Sequence, residues 1–162
     1  MRKLIVTTTL SGRITVERAR TWRFALHAMV SDTPSDSAIR LLVDQTGYHP
    51  ASLAAHRLVR TVVPDLLAAH GLAPALADLF PYSTQTVNPV PHRLVVACAM
   101  VHHEEFKMAE LERRLGRRDQ RFFSDRTRAR EWLESFRHPY DTAVGTGGSS
   151  GRPASLQPTI EV

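Results

Sequence analysis

Two stretches of this sequence are apolar without alternation, "AIRLLVD" at residues 38–44 and "RLVVACAMV" at residues 93–101. A strand with one wet face alternates apolar and polar residues, because successive side chains point to opposite sides. A strand without that alternation must be covered on both faces, which is the habit of parallel sheets flanked by helices. Each run also stops abruptly, the first at Asp44 and the second before "HHEE", so both end where a chain would leave the sheet.

Parallel neighbours need crossover connections, and the intervening segments have the period to supply them. "KLIVTTT" at 3–9 is β-branched and reads as a first strand, with "SGR" after it as a turn. In "TVERARTWRFALHAM", Val16, Ala19, Trp22, Leu26 and Met29 recur every three or four residues, which predicts a helix with Thr15 as its N-cap. The polar linker "SDTPSDS" closes it. After the turn "QTGYHP", "ASLAAHRLVRTVV" is helical, Pro64 marks a break, and Gly71 and Pro74 divide the next stretch into short helical pieces. "PYSTQTVNPVPH", with three prolines and no apolar period, is a surface loop. "EEFKMAELERRLG" is a helix and "DQRFFS" a short strand. "DRTRAREWLESFR" is a last helix with Ala129, Trp132, Leu133 and Phe136 on one stripe.

Four β-then-α alternations predict an α/β fold, a single domain over residues 1–137 with a largely parallel four-stranded central sheet covered by helices. Residues 138–162, rich in Gly, Ser and Pro, are predicted to be a disordered tail. A chain of 162 residues is long enough for one such core. No apolar run approaches the roughly 20 residues needed to span a bilayer, and a cytoplasmic location is expected. The lone cysteine, Cys98, sits inside the second apolar run and reads as a core residue.

The net charge of +5 is concentrated: residues 107–137 hold ten Lys or Arg against six Asp or Glu, an excess of four. Interspersed acids favour a helix surface laced with ion pairs over a binding patch, with nucleic acid kept as an alternative partner. Phe122, Phe123, Trp132 and Phe136 lie in that third at core spacing rather than as a stacking platform.

In open parallel sheets ligands bind beyond the carboxyl ends of the strands, which singles out Asp44 and the residues after it, Gln45, Tyr48 and His49. An Asp in that place also commonly accepts hydrogen bonds from turn amides. Catalysis by Asp44 with His49 would need a convergent third group, for which His102 or His103 is the candidate; no complete catalytic motif is present, so no enzyme activity is expected. His102, His103, Glu104 and Glu105, with His49 or His92, are the residue types of a metal site. Their spacing matches no HExxH-like signature, and two Glu in a helix's first turn are explained by its dipole. Neither a G-x-G-x-x-G turn nor a P-loop nor a G-x-S-x-G elbow occurs, so no metal, nucleotide or other cofactor is expected.

The order strand, amphipathic helix, "RFFSD", "RAREWLESF" resembles the C-terminal half of bacterial STAS-like proteins. These are small domains related to anti-sigma-factor antagonists and grouped with the CRAL-TRIO lipid carriers. Phe123, Asp125, Ala129, Trp132 and Leu133 carry the likeness, and "IRLLVDQTG" is similar to the family's central strand. The resemblance implies a regulatory module that binds a partner protein through the turn after Asp44 and the following helix start. In anti-sigma antagonists a D-S-S-G segment there carries a phosphorylated serine, and this chain has "PASLAA", with Ser52 near the corresponding place. The expected contact or regulatory residues are Asp44, Tyr48, His49 and Ser52. A small apolar ligand or lipid is the alternative occupant, covered by the helical pieces from Gly71 to Phe80.

Overall fold

The computed structural model describes residues 2–72, 94–138 and 159–161 of the chain. Its elements run β1 (Arg2–Thr9), β2 (Gly12–Ile14), α1 (Val16–Asp32), β3 (Ser37–Asp44), β4 (Tyr48–Pro50), α2 (Leu53–Ala69), β5 (Leu94–Val101), α3 (Glu105–Leu115), β6 (Gln120–Phe123), α4 (Arg126–Ser135) and β7 (Thr159–Glu161). The main sheet has the order β6-β5-β3-β1-β7 with every pair parallel. The α/β architecture and the parallel four-stranded centre match the sequence-based expectation.

The two unalternating runs are the middle of that sheet. Every residue of β3 is buried, and β5 is nearly so. On one face Ile39, Leu41, Val43, Val95 and Cys98 pack with Ala19, Trp22 and Leu26 of α1 and with Val59, Val62 and Leu66 of α2. On the other, Ala38, Leu42, Ala97 and Ala99 meet Ala129 and Leu133 of α4. The alanines on this second face have little side chain, so α4 can lie close to the strands. The Phe123, Trp132 and Phe136 rings pack at its margin in tilted and edge-on contacts, as core residues. Cys98 is enclosed, and burial pushes its thiol up to about 12, which leaves it unreactive.

Two polar contacts fix the helices to the sheet. The Trp22 indole N–H donates to Thr8 Oγ1 at 2.6 Å inside the core, which locks α1 to β1. Arg40, only 1% exposed in the middle of β3, crosses beneath α4 and donates from Nη2 to the carbonyl of Phe136 at 3.1 Å. A cation at that end of the helix satisfies a terminal carbonyl and meets the negative pole of the dipole.

Three sequence-based expectations are corrected. Pro64 does not break the helix: α2 runs unbroken to Ala69, because Val59, Val62, Val63, Leu66 and Leu67 bury an apolar stripe on both sides of it. The helix stops instead at Gly71, whose φ of +84° suits glycine, and the Leu72 amide closes back on the Leu67 carbonyl at 2.9 Å. The tail is not without structure throughout, since Thr159–Glu161 pairs in parallel with Thr7–Thr9 and caps the edge of β1. Finally, the turns after β1 and β3 contain a small parallel ribbon of β2 and β4. The predicted loop at 81–92 and most of the expected cover between Gly71 and Phe80 lie outside the described residues.

Replacing Arg40 by Met keeps the aliphatic stem but leaves the Phe136 carbonyl without this donor. We expect a loss of about 1–3 kcal/mol in urea denaturation, with faster amide exchange in α4 than in α1.

Candidate functional site

The parallel register brings the carboxyl ends of four strands to one level. Thr9 pairs with Asp44, Asp44 with Val101, and Val101 with Phe123. Asp44 ties this edge together. Its carbonyl accepts from the Leu10 amide at 2.8 Å, and the next amide, Gln45, donates to the Val101 carbonyl at 2.8 Å. Its carboxylate accepts from the Thr46 amide at 2.9 Å and meets Arg126 of α4 at 3.4 Å. The carboxylate thus holds the turn and the α4 start.

Beyond that turn, Gly47 at φ +76° reverses the chain into β4, and the ribbon lays Tyr48 inward and His49 outward. Tyr48 is buried, and its hydroxyl lies 3.1 Å from Nδ1 of His56 on α2. Ser52 is the exposed N-cap of α2, its Oγ accepting from the Ala55 amide at 3.1 Å.

Between α2 and α3, over the ends of β5 and β6, lies a cleft of about 320 Å³. Its walls are Val59, Val63 and Pro64 of α2, Met100 of β5, Met108 of α3 and Phe122 of β6. Around this apolar floor stand Gln45, Tyr48, His56, Arg60, His102 and Lys107, and among the described residues no carboxylate lines it. Burial, with Arg60 and Lys107 nearby, holds the His56 imidazole below its usual value. Burial raises the Tyr48 phenol, which stays protonated. The uncharged groups are therefore Tyr48 and His56, and the cations are Arg60 and Lys107.

His102 forms one wall of the cleft and also faces away from it toward a second group. Its ring lies 4.4 Å from that of His103 between centroids, and His103 lies 6.4 Å from His49. A bend at His103 interrupts strand alternation, so two neighbouring rings stack where an extended chain would send them to opposite sides. His102 is buried, and burial followed by the charges of Lys107 and His103 holds it below its usual value.

The sequence singles out the carboxyl end of the sheet, and the structure divides the candidates it names there. Tyr48 and His102 line the cleft, His49 and His103 form the neighbouring group, Asp44 fixes the turn, and Ser52 caps α2. His92 lies outside the described residues. His56, Arg60, Lys107 and Met108 were missed. The signal was present, since His56 and Arg60 fall at i and i+4 on one face of the helix read over 51–63, and Pro64 joins that face at i+8 because α2 continues through it.

The basic third is largely ion-paired: Arg113 and Arg114 with Glu110, Arg121 with Glu112, Arg126 with Asp44, and Arg130 with Glu134. Comparison with protein-family models, curated proteins and solved structures finds no match for this chain.

His56 and His27 are both held below the ordinary value of 6.5, chiefly by burial. Between that value and their native ones the unfolded chain binds more protons than the native chain. Their contribution is therefore complete above pH 6.5 and is lost as pH falls through the native values. We expect the His56 ring to titrate by NMR with a midpoint below 6.5, and the melting temperature to fall from about pH 7.5 to about pH 5. A midpoint at 6.5 or above would contradict the partly desolvated setting of His56 beside Arg60 and Lys107.

Proposed function

We propose that this chain is a binding module whose cleft takes a small amphiphilic anion, a molecule with an apolar body and a carboxylate or phosphate head. The observation that carries this reading is the lining: an apolar floor of about 320 Å³ bordered by Arg60 and Lys107, with no acidic residue among its described walls. That volume sits at the low end for small-molecule sites, and the few polar groups set over an apolar floor suit an oriented ligand. The Tyr48 hydroxyl and the His56 ring supply neutral hydrogen-bonding groups near the head, and Met100 and Met108 adapt to the body. The sheet has the cleft where parallel sheets ordinarily present ligand sites.

The test uses octanoate against octanol, which differ in head charge but share an apolar chain. Octanoate is expected to bind measurably by calorimetry, and the double variant R60M/K107M to weaken it about tenfold or more while leaving octanol unchanged. V63W, which fills the cleft, should abolish both. Equal binding of the two probes in the unaltered protein, or no binding of either, counts against the reading.

A second reading, the regulatory protein-binding module that the STAS-like resemblance implies, is favoured by two exposed apolar side chains. Leu53 in the first turn of α2 is 63% exposed, and Phe106 in the first turn of α3 is 89% exposed. Ser52 adjoins Leu53 and caps α2, so S52A should cost about 1 kcal/mol of stability. S52D keeps a capping oxygen and adds charge at the favourable end of the dipole, so its stability should be unchanged. A partner recovered from the native host should bind S52D differently from the unaltered protein. Equal binding to S52D, L53S and F106S would remove this surface from consideration.

A further inference from the structure

We propose that His102, His103 and Glu104, with His49 completing the set, form a binding site for a divalent transition metal of the Zn²⁺ class. One ligand atom from each of the first three lies within 4.8 Å of the others. Donors held about 2.0–2.2 Å from a common ion come to rest roughly 3–4 Å apart, so small rotations of two exposed side chains close the remaining distance.

The closest pair already has a chelating separation. Nδ1 of His102 lies 3.8 Å from Oε1 of Glu104, a gap that an ion about 2 Å from each would bridge. Both histidines present an Nδ1 lone pair on their backbone side. The Glu104 amide donates to that of His102 at 3.2 Å, and the Gly47 amide to that of His103 at 3.5 Å. The first is at the upper end of the ordinary range and the second lies beyond it, so an ion taking these nitrogens would displace one ordinary and one weak partner.

His49 supplies the fourth donor from a different element. It stands on β4, and its ring centroid is 6.4 Å from that of His103. The β2–β4 ribbon fixes its backbone through pairing with Arg13. Donors from two separate chain segments make the site dependent on the folded state. Imidazoles joined by a single carboxylate suit Zn²⁺ or Co²⁺, whereas Ca²⁺ and Mg²⁺ call for more oxygen ligands. Lys107 shares Glu104 at 3.8 Å, but both side chains are about half exposed, and a surface pair of this kind holds its partner weakly.

Metal binding can be measured with the cleft empty, since of the four residues only His102 lines that cavity. The test is titration of Zn²⁺, and of Co²⁺ with its visible spectrum, into the full chain, free of any tag and stripped of metal by a chelator. One equivalent should bind saturably, with the Co²⁺ bands of a nitrogen-containing low-coordinate site, and excess Mg²⁺ should not compete. H103A and E104Q alter exposed residues and leave the core intact, and each should weaken Zn²⁺ by at least about tenfold. H27Q, which changes a histidine on α1, should bind as the unaltered protein does. Absence of saturable binding, or affinity unchanged in both H103A and E104Q, overturns the proposal.

Discussion

Asp44 is the point on which the working edge of this protein depends. Its backbone joins the ends of β1 and β5, and its carboxylate spans the following turn and the start of α4. Three attachments at this nearly solvent-free residue, and a fourth at the adjoining Gln45 amide, fix the path by which the chain leaves the sheet. That path delivers Tyr48 to the cleft and His49 to the neighbouring histidines. A carboxylate with both oxygens engaged in this way is a positioning device for the turn and the residues that follow it.

The cleft follows from unequal cover of the sheet. Helices α1 and α2 pack side by side on one face, α4 lies on the other, and α3 lies against β6. Glu112 secures that last arrangement by pairing with Arg121 and accepting from the Phe122 amide at 2.8 Å. The space left between α2 and α3 is therefore walled by a helix on each side, with Pro64 of α2 in its apolar lining. Apolar walls with cations only at the border favour ligands that can leave a charged end in partly wet surroundings.

Much of the fold was legible because burial on both faces leaves a plain mark: "AIRLLVD" and "RLVVACAMV" cannot sit at a wet surface. Helix caps were legible for the same local reason, and Thr15 accepts from the Arg18 amide at 3.3 Å as its position before an apolar period implies. The illegible parts depend on tertiary packing. A proline reads as a breaker until the stripe around it is known to be buried, and that misreading hid only that Pro64 continues the face of His56 and Arg60. Adjacent histidines in an extended chain point to opposite sides, and only the bend after the strand brings their rings together. The tail's Gly, Ser and Pro content carries no trace that Thr159–Glu161 pairs with β1, because edge pairing requires only a few residues willing to extend.

His102 and Glu104 couple the two proposed sites. Glu104 is shared between Lys107 and the neighbourhood of His102, at 3.8 Å from each. An ion that took the carboxylate would loosen its hold on Lys107, a cation at the border of the cleft, and would add positive charge behind the His102 wall. Both changes favour an anionic head in the cleft. By linkage the effect is reciprocal, so an anion bound there must tighten the ion by the same factor. The size of that factor would be limited by screening at the exposed Lys107, and its sign would follow from the opposite charges that the proposed ion and head would place on two sides of the His102 ring.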